Sequence, residues 1–316
     1  MYEVNSPQDL LDLQNHYLNA TGKGFDGVFE VRFGASVTDV NWSLAPEHGK
    51  DLPAIDVVLK GDGAVVGVPA KIIARSVRIE GLVLTGTQPM SSELEVRAGV
   101  TIVDSAFIDL RGGAPASTQP FIALRSHGPK GKRVPATATI ERTWFVRNWQ
   151  NGSSVAGAAL LGFDQHQQDG GFYSEVRIRD CVFAGNAFAT EVRLAYAFDV
   201  AIERTVFYKT WSSGVLLENL LAEKVRVVDS VIVVEDLAHV ASKAADVPAI
   251  EMSGTRIFAR SYTPATEIPA AFTIDRGALA DRARVDPAAA PFDQATKLPP
   301  GKPPAGLREQ LLAALK

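Results

Sequence analysis

VTIVDSAF at 100–107, ATIERTWF at 138–145, VRIRDCVF at 176–183, VAIERTVF at 200–207 and VRVVDSVI at 225–232 are copies of one pattern. Each has apolar residues at its first and third positions, a small Ser, Thr or Cys at its sixth and a large apolar residue at its eighth. VRIEGLVL at 77–84 and IEMSGTRI at 250–257 are looser copies, and VVLKGDGA at 57–64 is a weaker one. Taking the third residue as an anchor gives Leu59, Ile79, Ile102, Ile140, Ile178, Ile202, Val227 and Met252, with successive spacings of 20, 23, 38, 38, 24, 25 and 25.

Residues two apart point the same way on a strand. The next inward positions fall three and five after the anchor, so the alternation breaks once, as a bend between two short strands requires. Ser105, Thr143, Cys181, Thr205 and Ser230 sit at that corner. Phe107, Phe145, Phe183 and Phe207 are then expected to stack coil upon coil, about 4.8 Å apart. No coil buries its apolar face alone, so the stack itself is the core. The expectation is an all-β fold: a single right-handed parallel β-helix of about eight coils.

FIALR 121–125, AALLG 158–162, EVRLA 191–195 and VLLEN 215–219 read as a second strand in each coil. A wound α/β fold needs helical stretches of roughly 10–15 residues between its strands; Gly, Pro and short β runs stand there instead. An antiparallel sandwich predicts no equivalence between repeats.

The ends read as caps. Ser6-Pro7 before DLLDLQNHYL, with Asp9 in the first turn, is a helix start, and a solenoid needs a plug over its first coil. At the other end, Pro287, Pro291, Pro299, Pro300, Pro303 and Pro304 mark an extended tail, which closes in GLREQLLAALK with Leu307, Leu311 and Leu315 at helical spacing. Two readings of that short helix stand side by side: it docks back on the solenoid, or 287–316 binds a protein partner. The expected division is a capped β-helix over 1–275 and an Ala/Pro-rich tail over 276–316.

Bulk composition narrows the function classes. The 316 residues carry 32 basic and 36 acidic side chains, a net charge of −4. That is unlike a protein that coats nucleic acid, which needs a basic stripe to displace counterions. One cysteine, Cys181, excludes an intrachain disulfide and a Cys-x-x-Cys site, and its corner position reads as small core rather than nucleophile. No run approaches the roughly 20 apolar residues of a membrane span. The start carries Glu3, Asp9 and Asp12 with no apolar run, so no signal peptide opens this sequence. As it stands the chain reads as cytoplasmic, or as secreted where a leader was removed. The oligomeric state is open, trimerisation of the stack included.

Two residues past successive anchors stand Asp104, Arg142, Asp180, Arg204 and Asp229, alternating in sign. Opposite charges at equivalent positions of adjacent strands attract, which gives a ladder that fixes coil register; a ligand track is the other reading. Asn148 and Asn186, both eight past an anchor, read as a stack satisfying backbone groups in a turn.

The two 38-residue intervals place extra length in equivalent loops, where function tends to sit on a rigid scaffold. RSHGPKGKR at 125–133 brings Arg125, His127, Lys130, Lys132 and Arg133 without an acid, and FDQHQQDGGFY at 163–173 brings Asp164, His166, Asp169 and Tyr173. A matching pair leaves the opposite turn at 111–120 and 147–157 and carries Trp149. His127 and His166 suit acid or base work near neutrality. Asp164 and Asp169 with His166 suit a metal ion. Arg125 suits an acidic sugar polymer, and Trp149 and Tyr173 suit stacking on sugar rings. Solvated loops that merely neutralise each other would carry the same residues.

The anchors together with GLVLTG at 81–86 resemble the pectate-lyase-like right-handed β-helix superfamily. The opening helix, GVFEVRFGASV at 27–37 and IDVVLKGDGAVV at 55–66 resemble the start of chondroitinase B and alginate lyase relatives. The resemblance covers roughly residues 1–275 and speaks to fold more than to activity. It implies elimination at a uronate C5, helped by a cation that is often calcium and by a Lys or Arg base, or hydrolysis of a glycosidic bond. Those lyases hold calcium with an Asn and a Glu-x-Glu pair; the expectation here is that this pair is missing, the nearest carboxylate grouping being VVED at 233–236, which does not correspond to it. The related hydrolases place paired Asp ahead of a His-Gly; Ser126-His127-Gly128 supplies the His-Gly, with no Asp-Asp or Asn-Thr-Asp before it.

The functional expectation is binding or cleavage of an acidic polysaccharide beside the loops 125–133 and 163–173. If an elimination is run, Lys130, Lys132, Arg133 or His127 is the base, and Asp164 and Asp169 hold Ca2+. The alternative is a non-catalytic scaffold that binds a protein partner through its tail.

Overall fold

The computed structural model describes residues 1–38, 40–46, 53–88, 92–112, 119–128, 134–150, 159–165, 170–209, 214–260 and 262–281. These wind as a parallel β-helix, each strand pairing in parallel with its equivalent one coil away. All the anchors fall in one register column: Leu59 lies opposite Ile79, Ile79 opposite Ile102, and so on through Ile140, Ile178, Ile202, Val227 and Met252. The column also runs past both ends of the repeat. Val31 faces Leu59 and Tyr2 faces Val31, while Ile250–Ser253 pairs with Phe272–Thr273.

Each coil has three faces. Residues 71–74, 92–96, 122–126, 161–165, 190–194, 215–219 and 241–243 form the first. The anchor strands form the second. Residues 64–67, 82–85, 106–108, 144–146, 182–184, 206–208, 231–234, 256–259 and 279–281 form the third. The last described strand, Leu279–Asp281, lies a few residues past the expected boundary at 275. The 57–64 copy is weak because Lys60 pairs with Glu80 and Ala64 with Leu82, so 61–63 fill the space that Gly81 alone takes in the next coil.

Inward residues stack by type. Phe107, Phe145, Phe183 and Phe207 form a column with ring centroids 5.0, 4.6 and 4.9 Å apart and interplanar angles of 5°, 9° and 15°. At the corner between the second and third faces, the hydroxyls of Ser105, Thr205 and Ser230 accept from the backbone N–H of Leu82, Cys181 and Thr205, each one coil earlier. Cys181 belongs to this column, and burial pushes its thiol up to about 12. A second internal column satisfies the next corner. Asn148 Oδ1 accepts from Leu110 N at 2.9 Å, and Asn186 Oδ1 accepts from Asn148 N at 2.9 Å. Beside this column Lys209 donates to the Phe188 carbonyl at 3.1 Å, with its ammonium 3.9 Å from the buried Glu191, which also accepts from Asn186 Nδ2.

The alternating charges have a backbone cause that the pattern did not reveal. Asp104, Arg142, Asp180, Arg204 and Asp229 all have left-handed backbone, with φ between 45° and 55°, and Gly81 and Gly254 hold the same corner position at the column's ends. Asp109 and Arg147 repeat the arrangement one corner on, followed by Gly185. Arg142 grips Asp104 with two hydrogen bonds (2.5 and 3.0 Å), Arg204 grips Asp180 (2.8 and 2.8 Å) and Arg147 grips Asp109 (2.9 and 2.7 Å). Left-handed backbone costs a non-glycine residue roughly 1–2 kcal/mol, and exposed ion pairs return less than about 1 kcal/mol each. Arg142→Val is therefore expected to destabilise by about 2–3 kcal/mol, since a β-branched residue fits this conformation worst. Arg142→Gly is expected to stay within about 1 kcal/mol, because relief of strain offsets the lost pair and the freer unfolded chain. Urea unfolding of both variants checks this; equal losses would place the energy in the ion pair instead.

At the start, α1 (Pro7–Gly22) caps the first coil. Ser6 Oγ accepts from Asp9 N at 3.3 Å, and Asp9 Oδ2 accepts from Asn5 N at 2.8 Å. Leu10, Leu13 and Tyr17 are buried against the solenoid. The tail beyond 281, including the expected C-terminal helix, lies outside the described residues. Among the described residues no helix is long and apolar enough to cross a membrane.

Candidate functional site

In the sequence, the first-face strands at 122–126 and 161–165 follow the long stretches 111–120 and 147–157. The strands of this face start at the corner that carries Trp149 and end at the corner that carries His127. Outward positions of these strands form two columns. Ile73, Glu95, Arg125 and Asp164 are successive register partners in one. Lys71, Glu93, Ala123, Gly162, Arg193 and Glu218 are successive partners in the other. The small Ala123 and Gly162 leave a gap, into which the ring of Pro120 closes; a Cβ on Gly162 would meet Pro120 Cγ at 2.1 Å.

Glu95 is the centre of this floor. It points outward from its strand yet is 1% exposed. Lys71 Nζ lies 2.7 Å from its Oε1, and His127 Nε2 lies 2.9 Å from its Oε2. Arg125 Nη1 sits 3.0 Å from Glu93 and 4.0 Å from Glu95, and Arg125 Nη2 donates to Gln119 at 2.9 Å. Burial alone would pull the Lys71 ammonium down, but Glu95 and Glu93 beside it outweigh that and raise its pKa. Arg193 Nε donates to Glu218 at 2.5 Å and closes the far end. A buried carboxylate is costly unless cations and hydrogen bonds surround it, and such perturbed clusters concentrate at working sites.

Of the expected site residues, the structure brings Arg125, His127 and Asp164 to this face. Lys130, Lys132, Arg133, His166 and Asp169 lie outside the described residues. Tyr173 is a correction. It is fully buried, packed edge-on to Phe163 with centroids 5.6 Å apart, and burial raises its hydroxyl above the ordinary tyrosine range. Gly171–Arg179 is already strand, and Tyr173 takes an inward position opposite Ala136 and Ala197, so it stacks on core rather than on sugar. Trp149 is 37% exposed, with the Arg111 guanidinium 5.1 Å above its ring, at the corner across the face from His127.

Glu93 and Glu95 belong to this charged cluster and were not among the residues expected from the sequence. Glu93-Leu94-Glu95 is itself a Glu-x-Glu, which corrects the expectation that the sequence has none. The signal was there: SELEV alternates, and its place before the Ile102 anchor matches that of the second strands in the later coils. The pair nonetheless does not form a calcium site. Lys71 Nζ lies 3.2 Å from Glu93 and 2.7 Å from Glu95, so an ammonium stands where a cation would have to go. Asp164 has Arg125 as its strand neighbour and accepts from Gln165 N. Among the described residues no group of three His, Cys, Asp or Glu could hold a metal ion, and no step below passes through one.

Two hollows, of about 250 and about 330 Å³, open near the first coils. His16 in the smaller one is flanked by the Tyr2 and Phe29 rings at 5.6 and 6.4 Å. Neither has a buried carboxylate holding a histidine. Comparison of the chain with protein-family models, with curated proteins and with solved structures finds no match.

Proposed function

We propose that the first face is the floor of a groove for an acidic polysaccharide, and that His127, held by Glu95, does acid–base work in its cleavage. One observation carries this reading: the buried, outward-pointing Glu95 on which Lys71 and His127 converge. With Glu95 accepting the Nε2 proton, the basic lone pair of the imidazole is on Nδ1, and the carboxylate stabilises the ring when that nitrogen takes a proton. That suits removal of a proton next to a uronate carboxylate, or activation of water at a glycosidic bond. Arg125 takes a sugar carboxylate by exchanging its contacts with Glu93 and Gln119 for it. Lys130, Lys132 and Arg133 follow within six residues of His127 in the sequence. The sequence resemblance to the pectate-lyase-like superfamily points to the same substrate class.

The reading is tested by incubating the protein with a panel of polyuronates and following both reducing ends and the near-ultraviolet absorbance of unsaturated products. Cleavage of at least one polymer is expected, falling about 100-fold or more in His127→Ala and in Glu95→Gln with the β-sheet circular dichroism unchanged. No cleavage anywhere on the panel, or variants as active as the parent, would overturn the catalytic role. One observation favours the second reading, a non-catalytic scaffold: Lys71, Arg125 and Arg193 are each already paired with floor carboxylates. That reading expects floor changes to do nothing and removal of 287–316 to abolish a partner interaction.

A further inference from the structure

The smaller hollow, of about 250 Å³, opens where α1 meets the first coil and is lined by the rings of Tyr2, His16, Phe25 and Phe29, with Val28 and Glu30 beside them. It shares no lining residue with the floor of the first face. Local sequence explains its shape. His16 and Ala20 lie one turn apart on α1, and the small Ala20 leaves room where a larger side chain would stand. Phe25 follows the helix. Its backbone N–H donates to the Ala20 carbonyl at 3.0 Å, and its ring lies over Gly27, where a Cβ would meet it at 3.2 Å. The Tyr2 and His16 ring centroids are 5.6 Å apart and those of His16 and Phe29 6.4 Å apart, tilted by 51° and 44°. Among the described residues Phe25 makes no ring contact with these three, so the hollow is a gap between rings rather than a stack of them. Phe25 is 44% exposed and Val28 57%. With Met1, they make three of the seven large apolar side chains exposed among the described residues, all lining this one hollow. Scattered singly such residues need no explanation; gathered in a concave site they mark a place for a ligand.

We propose that this hollow binds a small organic ammonium ion. The faces of aromatic rings attract a cation held within about 6 Å of their centroids, and the methyl groups of an alkylammonium fill apolar space at the same time. The charge around the hollow selects the cation. Residues 1–30 carry Glu3, Asp9, Asp12, Asp26 and Glu30 against Lys23 alone. Asp9, Asp12, His16 and Ala20 fall at helical spacing on one flank of α1, so two carboxylates stand on the flank that lines the hollow. Asp9 and Asp12 accept from Asn5 N and Gln8 Nε2, neutral donors that leave both charges in place. Their field reaches the ring wall: burial first, then Asp12 and Asp9, raise the Tyr2 hydroxyl above its ordinary value. Glu30 contributes less, because Lys60 Nζ lies 3.2 Å from its Oε1. An anion is repelled here, and a neutral apolar molecule gains nothing from the carboxylates. The larger hollow, with Arg32, Lys60, Asp62 and Glu80, mixes both signs without an aromatic wall and has no such preference.

The test is a titration of the full chain at about pH 8, above the ordinary histidine range. The probes are choline and its neutral isostere, in which a tert-butyl group replaces the trimethylammonium. The ring resonances of Tyr2 and Phe25 report binding. The proposal expects saturable shifts with choline in the millimolar range. Binding should be at least ~10-fold weaker for the isostere, and at least ~10-fold weaker for choline in Phe25→Leu, which keeps apolar bulk and removes the ring. Asp12→Asn should weaken choline about threefold at low salt and less at high salt. No saturable shift with choline would overturn the proposal, and so would an isostere that binds as tightly, which would make the hollow merely apolar. Unchanged affinity in Phe25→Leu would overturn it as well. If that variant loses the β-sheet circular dichroism of the parent, Val28→Lys takes its place, since it brings a fixed ammonium to the same space from an exposed position. Choline binding is expected to vanish in it, and binding equal to the parent's would overturn the proposal.

Discussion

Lys209→Met is expected to destabilise the protein by roughly 3–5 kcal/mol above neutral pH, because it leaves the Glu191 carboxylate inside the solenoid without its cation. Both groups are buried, and the ammonium lies 3.9 Å from the carboxylate. Desolvation pushes Glu191 up to about 7 despite Lys209 and the hydrogen bond from Asn186 Nδ2, and desolvation likewise pulls Lys209 down despite Glu191. Burial thus costs each charge more than the pair returns, as expected for a long contact in a low-dielectric interior. The pH dependence follows. A carboxyl whose folded pKa is raised holds its proton more tightly folded than unfolded, so on account of Glu191 stability falls as pH rises from the ordinary glutamate value of 4.5 to about 7. Removing Lys209 takes away a stabiliser of the charged form and extends that fall to higher pH. The variant is therefore expected to lose little relative to the parent near pH 5 and much more near pH 8. Urea unfolding at the two values reads the difference. A loss that does not change with pH would place the cost in packing alone. The double change Glu191→Leu with Lys209→Met is expected to recover much of the loss, since removing both buried charges tends to be neutral.

Phe183→Ala is expected to cost about 3–5 kcal/mol. Phe183 is 1% exposed and stacks on Phe145 at 4.6 Å and on Phe207 at 4.9 Å, so its removal opens a void in the middle of the column. Phe183→Leu keeps part of the volume and is expected to cost less than half as much. Each coil of a solenoid leans on its neighbours, so the loss should appear as a lower urea midpoint. A lowered slope for Phe183→Ala would show the stack separating into independently melting halves.

The fold was legible because its cause is periodic. Anchors such as Ile140 and Ile178 mark coils whatever the loop between them does, and the phenylalanines and the small corner residues repeat at fixed offsets from them. The charges two past each anchor were legible as a ladder, but not as left-handed backbone. Asp and Arg at those positions carry no conformational signature, and only Gly81 and Gly254 in equivalent places betray it. The site was legible in part. Arg125 and His127 were found from loop length and composition, whereas Glu93 and Glu95 sit on a coil with no long loop and drew no attention. Their relation to Arg125 depends on strand register across the first face, which no local pattern states. Tyr173 failed for the opposite reason: it ends a polar run and looks like loop, while a bulge between Ala136 and Thr137 shifts the pairing and turns it inward.

The central claim is that the first face receives a polyanionic sugar. The most direct measurement is a calorimetric titration of the intact protein with polyuronate oligomers and with neutral glucan oligomers of equal length, at low and at physiological salt. The account predicts saturable binding of a polyuronate that weakens with salt, is lost in Arg125→Ala, and has no counterpart for the neutral glucan. Absence of heat with every polyuronate, or equal binding of the neutral chain, would contradict it.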